Sequence, residues 1–469
     1  MKPDSTGLPD FINGAKIWET VNSTAEIEPA HVHDILAKAA EAKGLSLEET
    51  ASLLQVEDRE LNEAIFETAR KVKQGIYGNR MVLFAPLYIT NECSNCCAYC
   101  GFKAGNKELL RRTLTANEIR REVSVLEDQG HKRLLLVYGE HPKFGAEWIA
   151  ETVRNVYDTV SEKSGEIRRV NINCAPLDVD GFRKLHDVGI GTYQCFQETY
   201  HRETYAALHP SGHKKDFLWR LHAMHRAMKA GIDDVGMGTL LGLYDYRFDT
   251  IALLSHAAEL EDKFGVGPHT LSFPRLEPAL NSEIAFNPPF PISDAQFKRL
   301  VAVLRLSVPY TGLILSTREN KDMRRELLDL GVSQLSAGSR TYPGAYSDPD
   351  YDRPDVQQFC IGDNRSLEEV ISEIVEHGYV PSWCTACYRA GRTGEHFMEL
   401  AKKGFIQEFC HPNALLTFKE YLLDYAHAST QVKGNSLIGH ELECFSEKRR
   451  GKVAEKLDRI DHGERDLYL

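Results

Sequence analysis

Residues 90–102 read TNECSNCCAYCGF, which places Cys93, Cys97 and Cys100 in a C-x3-C-x2-C spacing. An apolar, strand-like run, Met81–Ile89, comes directly before them. Three thiolates on one short loop can hold three corners of a cubane iron–sulfur cluster and leave the fourth iron without a protein ligand. The spacing therefore predicts a [4Fe–4S] site directly after a strand.

Two other uses of these cysteines fit the spacing less well. Cys93 with Cys96 and Cys97 with Cys100 could form two zinc half-sites, but paired zinc knuckles are usually about 15–20 residues apart. Here the two pairs abut, so one tetrahedral zinc would need an implausibly folded loop. Disulfides are disfavoured because eleven cysteines in a cytosolic chain of 469 residues indicate metal binding. Cys96 is interpreted as a structural thiol.

Composition limits the class of protein and of partner. Of the 469 residues, 42% are hydrophobic and 26% are charged, which is typical of a globular protein. The net charge of −12 argues against nucleic acid or an anionic membrane as the main partner. The N-terminus lacks the apolar core of a signal peptide, and no stretch has the apolar length of a transmembrane helix. We expect a cytoplasmic protein.

The order of predicted elements indicates three parts. Residues 1–80 are predicted as an N-terminal helical extension, 81–378 as the main domain and 379–469 as a C-terminal helical domain with an auxiliary iron–sulfur cluster. Eight strand–helix units in the main domain predict an α/β fold, a (β/α)8 TIM barrel, with a doubly wound open sheet as the alternative. The predicted strands are Val82–Tyr88, Arg133–Tyr138, Arg168–Asn173, Thr192–Phe196, Asp234–Thr239, Thr270–Pro274, Gly312–Ser316 and Ser333–Ala337.

Polar residues follow most of these strands, at what would be the C-terminal mouth of the barrel. Active sites of such barrels lie at this mouth, so these residues are predicted to share one site with the cysteine loop. Residues 339–365, rich in Pro, Asp and Tyr, follow strand eight and are predicted as a lid. The polar residues that end strands two, four, five and seven are Gly139, Glu140, Glu198, Asp245, Ser316 and Arg318.

A second set of cysteines follows the eighth predicted helix. Cys384, Cys387 and Cys410 have a C-x2-C-x22-C spacing, which again leaves one corner of a cluster open. A structural zinc completed by His396 or His411 is the alternative.

His269 precedes strand six, so it is expected at the N-terminal, or bottom, mouth of the barrel. The eighth helix, about Ser366–Gly378, returns the chain to this same mouth. Both ends of the barrel would then carry metal chemistry, although the bottom of a TIM barrel usually serves stability.

The cysteine loop resembles that of radical S-adenosylmethionine (SAM) enzymes, and the chain from about residue 10 onward resembles the tyrosine lyases of that superfamily. This family has a thiazole-synthesis branch and an FeFe-hydrogenase maturase branch. Only the maturase branch carries the C-terminal motif, which reads CTACYRAGRTG at 384–394 in this chain. The other shared stretches are FQETYH at 196–201, AGID at 230–233, GLYD at 242–245, FPRL at 273–276 and LSTRE at 315–319.

The resemblance implies a two-step reaction. In the family the open iron of the first cluster binds SAM, and an electron from the cluster splits it to a 5′-deoxyadenosyl radical. The radical takes hydrogen from the amino group of L-tyrosine, which breaks into p-cresol and dehydroglycine. At an auxiliary [4Fe–4S] cluster dehydroglycine becomes CO and cyanide for assembly of the hydrogenase H-cluster. A reductant such as flavodoxin or ferredoxin and an H-cluster assembly scaffold are the implied partners.

The resemblance also implies residues that bind the SAM cofactor. Tyr99 stands where the family has an aromatic residue beside the adenine. Gly139 and Glu140 match the contact to the SAM amino group. Asp245 lies in a shared stretch and is counted as a cofactor-binding residue.

For the substrate and the auxiliary cluster, the resemblance implies four further residues. Arg318 and Ser316 match positions that hold the tyrosine carboxylate, where a guanidinium fork suits the planar anion. Glu198 lies in a shared stretch at the mouth and is counted with them as catalytic. His269 matches a ligand of an extra iron, which is bound through cysteine beside the auxiliary cluster.

Two other functions stay open on the sequence. The protein could cleave tyrosine only to dehydroglycine for thiazole synthesis, with a vestigial second cluster; residues 137–142, VYGEHP, look closer to that branch. Arg340 is also bulkier than the small residues that some maturases have there. The third function is an iron–sulfur carrier or scaffold that is not an enzyme. Arg318 and Glu198 argue against a carrier, which needs no substrate pocket.

Overall fold

The computed structural model describes residues 3–24, 28–163, 165–348, 353, 355–386, 394 and 406–469. Strand β1 pairs with β2 on one side and with β8 on the other, so β1–β8 close into a barrel in which every pairing is parallel. The predicted (β/α)8 barrel is confirmed, and the open sheet is wrong. The strands are β1 (Arg80–Thr90), β2 (Arg133–Tyr138), β3 (Arg169–Asn173), β4 (Tyr193–Gln194), β5 (Val235–Gly238), β6 (Thr270–Ser272), β7 (Gly312–Leu315), β8 (Gln334–Ser336) and β9 (Val380–Ser382).

Helices precede the barrel, connect its strands and follow it. The N-terminal helices are α1 (Gly14–Ser23), α2 (Pro29–Ala39), α3 (Leu47–Leu54) and α4 (Arg59–Tyr77). Those between strands are α5 (Ala116–Asp128), α6 (Ala146–Tyr157), α7 (Val179–Asp187), α8 (Arg202–Leu208), α9 (Phe217–Leu221), α10 (Ala223–Lys229), α11 (Tyr246–Phe264), α12 (Glu283–Phe286), α13 (Asp294–Ser307), α14 (Lys321–Leu330) and α15 (Leu367–Glu376). The C-terminal helices are α16 (His411–Asp424), α17 (Ala428–Glu443) and α18 (Glu447–Asp461). Within the described ranges, the structure contains no helix with the length and apolar character needed to cross a bilayer.

Local sequence signals set where several helices begin. Ser46 and Thr115 each accept a hydrogen bond from the backbone N–H three residues on, and the glutamate there returns a bond to the cap. These are capping boxes, which satisfy backbone donors that the helix itself leaves free. The apolar face of α4 is buried at Ile65, Ala69 and Val72, so the N-terminal helices pack as the 3.6-residue period predicts.

Strand β9 was not predicted from the sequence. It is three residues long and contains Pro381, which cannot donate to a ladder. Strand β2 pairs with β1 only from Ala85 onward, so the first residues of β1 have a free edge on that side. β9 fills this edge, with Val380 opposite Arg80. The pairing brings the chain that follows β9 to the bottom mouth of the barrel.

Glu420 of α16 ties the C-terminal helices to the bottom of the barrel. Its carboxylate is fully buried and lies 2.8 Å from Arg168 Nη1 and 3.4 Å from Lys132 Nζ, which directly precede β3 and β2. Burial and the neighbouring Arg168 lower the pKa of Lys132 to about 8 even with this carboxylate present. The ion pairs therefore compensate two buried cations.

We expect Glu420→Gln to destabilise the protein by about 3–5 kcal/mol, because Lys132 would lose its buried counter-charge and Arg168 would keep only the partly exposed Glu166 and Asp466. Thermal unfolding of the full chain measures this, with the exposed Glu447→Gln as the matched control. Equal melting temperatures for Glu420→Gln and the wild type would show that the network does not hold the C-terminal helices.

Candidate active site

The cysteine loop leaves β1 at the C-terminal mouth of the barrel, and Arg111 holds its two ends together. The guanidinium donates to the carbonyl oxygens of Asn91 (2.7 Å), Phe102 (2.8 Å) and Lys103 (2.7 Å), which flank the cysteines. A planar guanidinium with several fixed donors suits such a multiple contact. The cysteines are therefore presented on a loop of one fixed shape.

Cys93, Cys97 and Cys100 all line one cavity at this mouth, and Cys96 does not. Burial raises the pKa of each of the three lining thiols to about 11. They would be thiolates at neutral pH only beside a compensating cation such as iron. Among the residues that the structure describes, no group of three or more His, Cys, Asp or Glu side chains is arranged to hold a single metal ion. The three thiols that line the cavity match the three protein ligands of a cubane cluster with one open iron.

Gly139 and Glu140 follow β2 and lie against the cysteine loop. A Cβ at Gly139 would overlap the carbonyl oxygen of Glu92, so a side chain there would force the two segments apart. The Glu140 carboxylate accepts a hydrogen bond from the side-chain amide of Asn95 at 2.7 Å. The backbone carbonyl oxygen of Glu140 accepts another from the Ser94 N–H at 2.7 Å. These contacts fix the Glu140 side chain on the cavity wall beside the cysteines.

Tyr99, between two of the cysteines, also lines the cavity. Its hydroxyl lies 2.8 Å from His209 Nε2, and the two rings meet edge to face. Burial lowers the pKa of His209 to about 3, so the imidazole is neutral. His209 Nδ1 donates to the carbonyl oxygen of Tyr205 at 2.8 Å, which leaves Nε2 to accept from the phenol. The Tyr99 ring is therefore held in one orientation.

Glu198 carries a buried charge on the same cavity wall. Its φ of +72° lies in the left-handed region, which non-glycine residues adopt rarely. The carboxylate lies 2.5 Å from Lys214 Nζ and 3.8 Å from Arg220 Nη2. Burial opposes its charge, but these two cations hold the pKa of Glu198 below its usual value. Lys214 and Arg220 line the cavity too, and no sequence motif pointed to them.

Arg318 presents a cation to the cavity, where the charges of Glu277 and Glu198 act on it from a distance. Its guanidinium lies 3.4 Å from the centre of the Phe359 ring. Over the described ranges, no hydrogen bond or ion pair engages this guanidinium, and Ser316 Oγ accepts from the Arg318 backbone N–H at 3.4 Å. Burial lowers the pKa of Arg318, but an arginine remains charged. A half-buried cation of this kind favours an anionic partner, and a carboxylate fits its two-pronged geometry.

The second cysteine set lies at the opposite mouth of the barrel. Cys384, directly after β9, and the buried Cys410 line one small cavity there. Cys384 has a φ of +51°, and its carbonyl oxygen accepts a hydrogen bond from Arg169 Nη1 at 3.1 Å, at the start of β3. The third predicted ligand, Cys387, lies outside the described residues.

Of the two histidines in the zinc alternative, His411 is the one that the structure describes, and it does not complete this set. His411 Nε2 lies 2.8 Å from a carboxylate oxygen of Glu441 on α17, and His411 does not line the cavity. His396 lies outside the described residues.

His269 lies at the same bottom mouth, directly before β6. Its Nδ1 is 3.5 Å from the carboxylate of Asp234, which also accepts a hydrogen bond from the Gly394 N–H at 3.2 Å. Burial lowers the pKa of His269, while Asp234 and the nearby Cys384 thiol oppose that shift. A neutral histidine whose Nδ1 faces a carboxylate presents its other nitrogen to a metal. The position of His269 is therefore compatible with a role as a metal ligand.

Comparison with known proteins identifies the family. The sequence pattern of the Radical SAM superfamily matches residues 87–255, and that of the Biotin and Thiamin Synthesis associated domain matches residues 272–380. The 2-iminoacetate synthase of Salmonella typhimurium is 33% identical over 348 residues, which cover 74% of this chain and 89% of that protein. The chain belongs to the 2-iminoacetate synthase family of radical SAM enzymes.

Within this radical SAM family, HydG is similar over nearly the whole chain. A crystal structure of HydG, a maturase of the [FeFe]-hydrogenase, has a TM-score of 0.95 and 49% identity and covers 98% of this chain and 100% of that one. HydG from Carboxydothermus hydrogenoformans has a TM-score of 0.82 and 42% identity and covers 95% and 97%. The resemblance to the two branches is confirmed. Radical SAM membership implies one [4Fe–4S] cluster and SAM.

One residue expected at the cofactor of this radical SAM enzyme is placed elsewhere. Asp245 does not line the cavity. It caps helix α11 by accepting a hydrogen bond from the Arg247 backbone N–H at 2.9 Å, and it pairs with the Arg247 guanidinium at 2.6 Å. Its position after strand five predicted a place at the C-terminal mouth of the barrel, but this position also directly precedes a helix, where a carboxylate can act as the N-cap.

The segment predicted as a lid supplies part of the cavity wall. It contributes Gln358 and Phe359 to the lining, in addition to Ser339 and Thr341. Of this segment, residues 349–352 and 354 lie outside the described residues. No motif pointed to Gln358 or Phe359, because their position depends on how the whole segment folds back over the mouth.

Proposed function

We propose that this protein cleaves L-tyrosine to p-cresol and dehydroglycine and then forms CO and cyanide at an auxiliary iron–sulfur cluster for assembly of the FeFe-hydrogenase H-cluster. The main support for this proposal is that the similarity to HydG extends over nearly the whole chain. That likeness covers 98% of the chain, and so includes the C-terminal helices, whereas the match to 2-iminoacetate synthase covers 74%. The C-terminal part supplies Cys384 and Cys410, which a lyase that stops at dehydroglycine does not need.

At the C-terminal mouth, we assign Cys93, Cys97 and Cys100 to hold the SAM-binding cluster and Tyr99 with Glu140 to bind SAM. When bound, the cluster and SAM supply the one-electron chemistry that starts the reaction. The apolar walls around the cysteines include Leu208, Leu240, Leu243 and Leu276, which exclude water from the site.

Arg318 and Ser316 are assigned to hold the tyrosine carboxylate. The support is the guanidinium of Arg318, which is half-buried, lies over the Phe359 ring and forms no ion pair or hydrogen bond with a described residue. The ring covers one face of the guanidinium and leaves its N–H edge for an anion. Glu198 remains a catalytic candidate, because its buried carboxylate lines the same cavity.

At the bottom mouth, we assign Cys384, Cys387 and Cys410 to an auxiliary [4Fe–4S] cluster and His269 to an extra iron held with cysteine. The support is the shared cavity of Cys384 and Cys410 and the carboxylate behind His269. Flavodoxin or ferredoxin as reductant, an H-cluster assembly scaffold and a cytoplasmic location complete the proposal.

The experiment that tests the proposal is an anaerobic incubation of the reconstituted protein with tyrosine, SAM and a reductant. We expect p-cresol, CO and cyanide together. The 33% identity to 2-iminoacetate synthase favours one competing function, tyrosine cleavage for thiazole synthesis. p-Cresol without CO or cyanide would establish that function and refute ours.

Arg318→Lys is expected to raise the KM for tyrosine by roughly ten- to a hundredfold, because lysine keeps the charge but loses the two-pronged contact. Iron content should stay at the wild-type level, since Arg318 binds no cluster in this assignment. Steady-state p-cresol formation against tyrosine concentration measures the change, with the exposed Arg325→Lys of α14 as the control. An unchanged KM would mean that another residue holds the carboxylate.

A further inference from the structure

Gln358, in the segment after β8, contacts one of the cysteines assigned to the first cluster. Its side-chain nitrogen Nε2 lies 3.7 Å from Cys100 Sγ, within hydrogen-bond distance for sulfur. Its side-chain oxygen Oε1 accepts a hydrogen bond from the Tyr88 hydroxyl at 2.7 Å. The amide therefore bridges a buried phenol on β1 and the cysteine.

Tyr88 fixes which end of the amide faces the sulfur. A phenol is protonated at neutral pH and can donate to the amide oxygen. With that oxygen turned to Tyr88, the NH2 group of Gln358 points to Cys100. In the reverse orientation the amide NH2 could still donate to the phenol oxygen, but the amide oxygen, an acceptor only, would face the thiolate. The geometry thus makes Gln358 an N–H donor to Cys100.

The backbone holds this donor in place. The Gly101 N–H donates to the carbonyl oxygen of Gln358 at 3.2 Å. The Gln358 N–H in turn donates to the carbonyl oxygen of Thr341 at 3.0 Å. A Cβ at Gly101 would lie only 2.8 Å from the Gln358 carbonyl oxygen. The glycine after Cys100 therefore permits the close approach of the two segments.

We propose that Gln358 positions the first cluster and raises its reduction potential by donating an N–H···S hydrogen bond to Cys100. The inference rests on the proposed cluster at Cys93, Cys97 and Cys100. Hydrogen bonds to ligand sulfurs tune the potential of such clusters. Reduction adds negative charge to the cluster and its ligands, so a donor stabilises the reduced state more than the oxidised state. Gln358 therefore makes reduction of the first cluster, on which the reaction depends, more favourable.

The test is a redox titration of the reconstituted full chain, followed by electron paramagnetic resonance. Cys384→Ala serves as the parent, so that only the first loop carries a cluster. In Gln358→Leu we expect a more negative midpoint potential. At the parent's midpoint, the ratio of reduced to oxidised cluster should fall by roughly three- to tenfold, where tenfold equals 59 mV for one electron.

Two further variants separate the hydrogen bond from a general disturbance of the segment. Tyr88→Phe keeps the donor but removes its orientation, so we expect a smaller shift in the same direction. Gln357→Leu is the matched control: it changes the neighbouring glutamine, whose side chain is buried but does not line the cavity, and we expect the parent's potential.

An unchanged or more positive potential in a cluster-loaded Gln358→Leu overturns the inference while the proposed function stands. If that variant does not retain iron, Tyr88→Phe decides, and an unchanged potential there overturns the inference as well. A parent chain that yields no reduced [4Fe–4S] signal refutes the proposed function and the inference with it.

Discussion

Cys97→Ala is expected to lose the first cluster and all tyrosine cleavage. The cluster has only three protein ligands in this assignment, so removal of one leaves two iron atoms without a protein ligand. Cys97 is also the most buried of the three, and the apolar side chains around it offer no replacement ligand. Formation of 5′-deoxyadenosine and of p-cresol should both fall to the level of a mixture without enzyme.

Cys96→Ala is the matched control, because it changes the adjacent cysteine on the same loop. Cys96 does not line the cavity, so iron content and p-cresol formation should stay within about twofold of the wild type. Product analysis by chromatography and iron per chain measure both variants. If Cys97→Ala still makes 5′-deoxyadenosine while Cys96→Ala does not, the ligand assignment of the loop is wrong.

Features encoded by neighbouring residues could be predicted from the sequence. The eight strands follow from the alternation of apolar runs with amphipathic stretches, and the cysteine loop follows from spacing within eight residues, Cys93–Cys100. The structure places that loop, Gly139 and Arg318 at one mouth, as expected from strand ends in a parallel barrel.

Features that depend on distant packing could not be predicted in this way. Arg111 reaches the site from a loop and Lys214 from the short 3-10 helix His213–Lys215, so neither stands at a strand end. The same strand-end rule selected Asp245, whose carboxylate instead caps a helix. Strand β9 forms only because β2 leaves the lower edge of β1 free, which is a property of the assembled sheet.

Cys384→Ala and His269→Ala are expected to retain p-cresol formation and to lose CO and cyanide. Both residues lie at the bottom mouth, whereas the tyrosine and SAM residues lie at the opposite end of the barrel. In the proposed assignment the first variant removes a ligand of the auxiliary cluster, so CO and cyanide should fall to background. The second would remove a ligand of the proposed extra iron, so their ratio to p-cresol should fall by roughly tenfold or more.

The retained p-cresol makes this result specific to the second site, because a chain that is unfolded or lacks the first cluster would make none. Dehydroglycine is an imine, so without its second step it should hydrolyse, and glyoxylate should accumulate in proportion to p-cresol. Cys444→Ala is the matched control, since Cys444 is exposed beside α17 and lines neither cavity. A wild-type ratio of CO and cyanide to p-cresol in Cys384→Ala would make the second cysteine set structural. The protein would then be a lyase of the thiazole type, despite its likeness to HydG over the whole chain.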